Sequence, residues 1–197
     1  MTILSTQLLR IKMVLIGEGA VGKTSIARAY LGQAFTSGYK ATIGADFYVK
    51  RDVIEDAVMG KVNCEFLIWD LAGQVQFTQV RPLYYRGARA AIAVFDITRK
   101  ETFYALPSWI HEFWKNAGGV WPLILVGNKA DLRGQRECVP QSVGMLYAQK
   151  LSQIIGVEVP YVETSALTGY NIRDAFHKLV LVLLAYYRKK FLQRMQK

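Results

Sequence analysis

A chain of 197 residues that is 52% apolar can bury one complete core and is too hydrophobic to be disordered. Its two cysteines, Cys64 and Cys138, match no zinc-ligand spacing and no disulfide framework, and its longest uncharged apolar run, Leu179 to Tyr187, is far short of the roughly 20 residues a membrane-spanning helix needs. The formal net charge of +10 fits nucleic acid, anionic lipid or an acidic partner equally well and does not choose among them.

In chain order, Ile11–Ile16 reads as a buried strand and Ser25–Leu31 as a helix. Between them, Gly17-Glu18-Gly19-Ala20-Val21-Gly22-Lys23-Thr24 fits the phosphate loop G-x-x-x-x-G-K-[ST] at every fixed position. Glycines let a row of backbone N–H groups wrap anionic oxygens, the helix N-terminus adds positive potential, and Lys23 adds a point charge. Binding of a nucleoside triphosphate is expected.

Further strands are expected at Asp46–Val53, Cys64–Trp69, Ala90–Phe95, Leu123–Val126 and Val159–Val162, the first two of these forming a hairpin. Helices are expected near Thr102–Asn116, with a bend or a later start at Pro107, and at Gln141–Ile155 and Asn171–Arg194. Alternation of strands and helices argues an α/β fold with a mainly parallel sheet, whose ligands belong in the loops at the strand C-terminal ends.

Two such loops carry chemistry. Asp70, in Trp69-Asp70-Leu71-Ala72-Gly73-Gln74, is placed to hold Mg²⁺ through water, and Thr24 can offer its hydroxyl to the same ion. Asn128-Lys129-Ala130-Asp131 matches N-K-x-D. The Asp131 carboxylate can accept from N1–H and the exocyclic amine of guanine, whereas adenine would leave it unpaired. Small residues in Glu163-Thr164-Ser165-Ala166-Leu167 let backbone N–H groups close on the base.

With these segments in this order, the chain resembles the Ras-like small GTPases from about Ile11 to Tyr187. Ile43-Gly44-Ala45-Asp46-Phe47 and Tyr84-Tyr85-Arg86-Gly87-Ala88 are similar to the Rab signatures flanking the two switches. The resemblance implies a P-loop NTPase fold: a single small-GTPase (G) domain over residues 1–187, with a mostly parallel six-stranded sheet flanked by helices, and a basic C-terminal helix extension over 188–197. It implies nucleotide binding by Gly17, Gly19, Ala20, Val21, Gly22, Lys23, Thr24, Ser25, Phe35, Thr42, Gly73, Asn128, Lys129, Asp131, Ser165, Ala166 and Leu167. Phe35 would pack on the base, and Gln74, Lys23 and Thr42 would be the catalytic residues, Gln74 orienting the attacking water. Mg²⁺ would be held by Thr24, Thr42 and, through water, Asp70, with GTP and GDP as substrate and product.

The same resemblance implies an exchange factor, an activating protein and effectors at the switches, while cysteine usage and the lack of a secretory signal lead to the expectation of a cytoplasmic protein, with a peripheral membrane position as an alternative. Half the charge excess sits in the last ten residues, as Arg188, Lys189, Lys190, Arg194 and Lys197, which reads first as a solvated helix end, with weak anionic membrane contact as the alternative, and nucleic acid is not an expected partner. Val75 stands where the family carries Glu and Leu71 where it carries Thr. These two departures motivate a rival reading, a GTP-bound interaction scaffold with little or no hydrolysis. The span from Phe47 to Trp69 is longer than in the Rabs, which implies an extended hairpin around Glu55–Lys61. His111 and His177 are expected to be structural or solvated, and the aromatic stripe of Trp109, Phe113 and Trp114 to be a packing face.

Overall fold

The computed structural model describes residues 8–35, 42–73, 77 and 79–196. In chain order the elements are β1 (Leu9–Ile16), α1 (Lys23–Tyr30), β2 (Ala45–Asp56), β3 (Gly60–Leu71), α2 (Arg81–Tyr85), β4 (Ala90–Asp96), α3 (Lys100–Tyr104), α4 (Leu106–Ala117), β5 (Leu123–Asn128), α5 (Gln141–Ile155), β6 (Tyr161–Thr164) and α6 (Ile172–Met195). Among the described residues six strands form one sheet in the order β2-β3-β1-β4-β5-β6, and only β2 with β3 is antiparallel.

Strand alternation sends successive side chains to opposite faces, and both faces are covered. Met13 and Leu15 of β1 and Ile92 and Val94 of β4 pack beneath α1 and α6. Val14 and Ile16, with Ala91, Ala93 and Phe95, pack beneath α4 and α5. On the first face Tyr30 stacks on Phe176 with centroids 3.8 Å apart, and Phe66 meets both rings edge-on at 5.5 and 6.0 Å. These three rings join α1, α6 and β3.

The hairpin reaches beyond both expected strands and turns at 57–59, within the expected span. Asp56 accepts hydrogen bonds from the backbone N–H groups of Val58 and Met59 at 3.0 and 2.8 Å, which sets the turn. Two expectations need correction. The helix expected at Thr102–Asn116 is two helices broken at Ala105, and it begins earlier, at Lys100. Pro107 stands in the first turn of α4, where its missing N–H costs nothing. The last strand starts at Tyr161 rather than Val159, because the Val159 N–H donates to Ser152 Oγ at 2.8 Å instead of to a neighbouring strand.

The hairpin is also tied to α6. Asp52 accepts from Arg173 Nη2 at 2.8 Å, from Tyr30 Oη at 3.1 Å and pairs with His177 Nε2 at 2.9 Å. His177 thus has the structural role expected of it, and His111 is exposed. Burial would raise the Asp52 carboxyl, but hydrogen bonds from Arg173, His177, the Val53 N–H and Tyr30 outweigh it and hold the group well below the ordinary carboxylate range.

A carboxyl depressed in the folded state contributes stability above its unfolded pKa and loses it as pH falls through the folded value. Asp52→Asn is therefore expected to cost about 1 kcal/mol at neutral pH, allowing for solvent screening, and to flatten the acid limb of a denaturation series. Phe176→Ala is expected to cost about 3–5 kcal/mol, read as a lower urea midpoint.

Candidate functional site

The strand ends converge on the loop between β1 and α1. Gly17 has φ 133°, and a Cβ there would stand 2.1 Å from the Val94 carbonyl oxygen of β4. Gly22 has φ 99°, and a Cβ would stand 2.3 Å from Asn128 Nδ2. Both positions exclude a side chain twice, by conformation and by space. Gly73, just after β3, lies against the backbone of Glu18 and Gly19, where a Cβ would approach to 2.5 Å. Ala20 takes a left-handed conformation with φ 61°.

Lys23 opens α1 and is buried, its ammonium donating to the carbonyls of Gly17 at 2.6 Å and Glu18 at 2.9 Å. Burial lowers its pKa to about 8, against the opposing pull of Asp70 and Glu18. One residue on, Thr24 Oγ1 lies 2.9 Å from Thr42 Oγ1 and donates to Asp70 Oδ2. Asp70 is fully buried and its Oδ1 has no hydrogen-bond partner among the described residues. Burial pushes its pKa up to about 6, with Thr24 and Lys23 pulling down. Two hydroxyls and a carboxylate with an orphaned oxygen make a hard oxygen donor set suited to Mg²⁺, directly or through water.

A second group of residues lies beyond the loop. The buried Asn128 side chain donates from Nδ2 to the Val21 carbonyl at 2.8 Å, and its Oδ1 accepts from Thr164 Oγ1 at 3.1 Å and the Ala166 N–H at 3.3 Å. Lys129 adopts a left-handed conformation with φ 69° and pairs with Asp96 at 2.6 Å. Asp131 lies in a short turn of 3-10 helix, Ala130–Leu132, and accepts from Ser165 Oγ. Ala166 is buried and Leu167 exposed at the same loop. The structure thus brings together Gly17, Val21, Gly22, Lys23, Thr24, Thr42, Asp70, Gly73, Asn128, Lys129, Asp131, Ser165 and Ala166. Ser25 continues α1 half-buried. Phe35 is half-exposed after α1 and makes no ring contact among the described residues. Gln74 and Val75 lie outside the described residues.

Some contributors carry no motif. Arg99 donates to the Gly19 carbonyl at 2.9 Å while its Nε pairs with Asp96 at 3.1 Å. Trp109 is core, as its stripe implied, yet its indole N–H donates to Glu18 Oε1 at 2.9 Å in the phosphate loop. Over that indole ring sits the Arg81 guanidinium, 4.3 Å from the centroid and forked onto Glu112 at 2.8 and 2.9 Å. Under the base loop, Arg133 pairs with Glu163, which also accepts from Gln141 at 3.0 Å. The only sequence signal for these residues was Glu163 beside Thr164 and Ser165, because contacts of 80 and 91 residues' separation leave no local pattern.

The model of the Ras family matches residues 12–185 of the chain. Among curated proteins, the Ypt/Rab-type GTPase ypt7 of Schizosaccharomyces pombe is 36% identical over 178 residues, covering 88% of this chain and 82% of the relative. The Ypt/Rab-type GTPase avaA of Emericella nidulans is 34% identical over 179 residues, 89% and 82% of the two chains. The Ras-related protein Rab-7a of Dictyostelium discoideum is 36% identical over 173 residues, 86% and 80%.

The Asp131 carboxylate is expected to read a purine with donors at N1 and C2. Asp131→Asn should weaken guanine-nucleotide binding by at least ~100-fold and improve xanthine-nucleotide binding, measured by competition against a fluorescent analogue. An unchanged preference would remove Asp131 from base recognition.

Proposed function

Because the chain belongs to the Ras family, whose members hydrolyse GTP, and is Rab-like by its relatives, we propose that it is a regulatory switch in membrane trafficking, alternating between GTP-bound and GDP-bound forms. The observation that carries this reading is the meeting of Lys23, Thr24, Thr42 and the half-satisfied Asp70 under one glycine loop.

In this reading the backbone N–H groups of residues 17–24 cradle the phosphates and Lys23 supplies a fixed charge to the β- and γ-phosphate oxygens. Bound at Thr24, Thr42 and Asp70, Mg²⁺ would neutralise charge on those oxygens. Thr42 reports the γ-phosphate, because its hydroxyl already sits 2.9 Å from Thr24 Oγ1 and joins the site only when its segment lies against the loop. Gln74 orients the attacking water. No arginine of the chain is assigned to the transferring phosphate, so an activating protein is expected to supply one and to speed a slow intrinsic reaction.

Effectors and the exchange factor would read the surface beside the switches. There Phe47 and Tyr84 flank Trp69 with centroids 5.0 and 5.4 Å away, and Ile43 and Leu83 are exposed. Leu71 is buried in the same cluster as Val14, Ile16 and Tyr85, which supports a packing role for its apolar side chain. Among the described residues no helix is long and apolar enough to cross a membrane. By its Rab-type relatives the location is proposed as cytoplasmic and peripheral, the basic end of α6 touching anionic membrane weakly.

Nucleotide extracted from the purified protein is expected to be GDP or GTP. With GTP and Mg²⁺, phosphate release should be slow and should fall about tenfold or more in Gln74→Leu. Retained GTP with no release in either protein would replace the switch with the scaffold reading.

A further inference from the structure

One cation beside the phosphate loop belongs to no motif. Arg99 stands between β4 and α3 on a fixed backbone: its N–H donates to the Asp96 carbonyl at 3.0 Å, and its own carbonyl accepts from the Thr102 N–H at 3.0 Å and the Thr102 hydroxyl at 2.7 Å. From that base the guanidinium reaches two partners. Nε donates to Asp96 Oδ2 at 3.1 Å, and Nη2 donates to the Gly19 carbonyl, 80 residues away, at 2.9 Å. One rigid plane thus serves a carboxylate and a carbonyl together, a geometry that suits arginine and not lysine.

The carbonyl it holds decides where the next N–H points. In the trans peptide that joins Gly19 to Ala20, the C=O of the first residue and the N–H of the second point in opposite directions. Drawing the Gly19 carbonyl onto Arg99 therefore turns the Ala20 N–H the other way, where it has no acceptor among the described residues. Ala20 is exposed and left-handed, with φ 61°. A residue with a Cβ keeps that conformation only where its surroundings impose it. In the loop read as the phosphate cradle, an N–H aimed and left without an acceptor is a place kept for the ligand.

Asp96 is not reserved for Arg99. It is buried, and the same Oδ2 takes Lys129 Nζ at 2.6 Å while Oδ1 accepts from the Thr98 N–H at 2.9 Å and the Thr98 hydroxyl at 2.7 Å. Burial would raise this carboxyl, but the hydrogen bonds from Lys129 and Thr98 outweigh it and hold the group below its ordinary value. A charged route therefore runs from the N-K-x-D loop through Asp96 and Arg99 to Gly19.

We infer that Arg99 is a positioning residue for the nucleotide: by holding the Gly19 carbonyl it aims the Ala20 N–H at a phosphate oxygen, and through Asp96 it ties that aim to Lys129. The inference rests on the switch reading and adds to it a residue that acts through the loop, not on the phosphate itself. The guanidinium also polarises the Gly19–Ala20 peptide, which makes its N–H a stronger donor to an anion. Such a donor counts most where charge on the phosphate oxygens shifts during hydrolysis.

Release of a fluorescent GDP analogue and single-turnover GTP hydrolysis are measured for the wild type, Arg99→Ala and Arg99→Lys, together with the amide spectrum of the GDP-bound proteins labelled with ¹⁵N-alanine. Arg99→Ala is expected to release nucleotide about tenfold faster and to hydrolyse GTP about tenfold more slowly. Its Ala20 amide signal should be displaced, with those of Ala27 and Ala29 in α1 in place, which also shows that the variant is folded. Arg99→Lys should recover part of each loss, since an ammonium keeps the charge and not the fork. Wild-type release and hydrolysis in Arg99→Ala, with the Ala20 signal unmoved, would overturn the inference and leave the switch reading intact. Full recovery in Arg99→Lys would overturn it by reducing Arg99 to a point charge. Hydrolysis slowed roughly a thousandfold or more with release unchanged would overturn it in favour of direct contact between the guanidinium and the transferring phosphate. A wild type that binds no guanine nucleotide would overturn the switch reading, and this inference with it.

Discussion

The Asn128 side chain is the joint on which the site depends. One amide ties the phosphate loop, through Val21, to the end of β5 and to the loop after β6, through Thr164 and Ala166. All of this happens in a buried place, where an unpaired carbonyl or N–H costs about 1–3 kcal/mol, so each of the three segments is held by the other two. Gly22 belongs to the same constraint, since any side chain there would displace the amide. The loop proposed to hold phosphate and the loops proposed to read a base are therefore mechanically one.

Around that joint the charges are held at a disadvantage. Burial lowers Lys23 and raises Asp70, so both ionised forms are penalised by the site that contains them. A ligand bringing anionic oxygens to the first and a cation to the second would relieve both, and binding would accordingly stabilise the fold through linkage. The Asp70 oxygen that has no partner among the described residues is where such a cation would be held.

A second chain of contacts runs from α2 into the same loop. Arg81 of α2 pairs with Glu112 of α4 and lies on Trp109, and Trp109 holds Glu18. This connection joins the segment after β3 to the phosphate loop through packed, mostly buried groups, the kind of contiguous network through which two positions of one element can be felt by another. At the other end of the protein, Asp52 and Asp56 fasten the hairpin to α6, so the sheet edge and the last helix move together.

Much of the architecture and of the site was legible in order along the chain. Phosphate-loop spacing, N-K-x-D and the alternating strands are local patterns, because close approach, helix start and strand burial each demand particular residue types at fixed offsets. Pro107 was read as a bend or a later helix start, and a helix does start beside it, at Leu106, because proline fits a helix's first turn; the short helix before it was not separated from it. The last strand was misplaced by two residues because a serine hydroxyl, seven residues away in sequence, captured the Val159 N–H. What the sequence determined by itself was therefore the fold class and the loops proposed to meet phosphate and base. Tertiary structure alone decided that Asn128 clamps Val21, that Trp109 and Arg99 brace the loop, and that Asp56 seats the hairpin turn against α6. Those pairings join residues roughly 80 to 130 positions apart, and only the sheet order and the packing of helices on its faces bring them within reach.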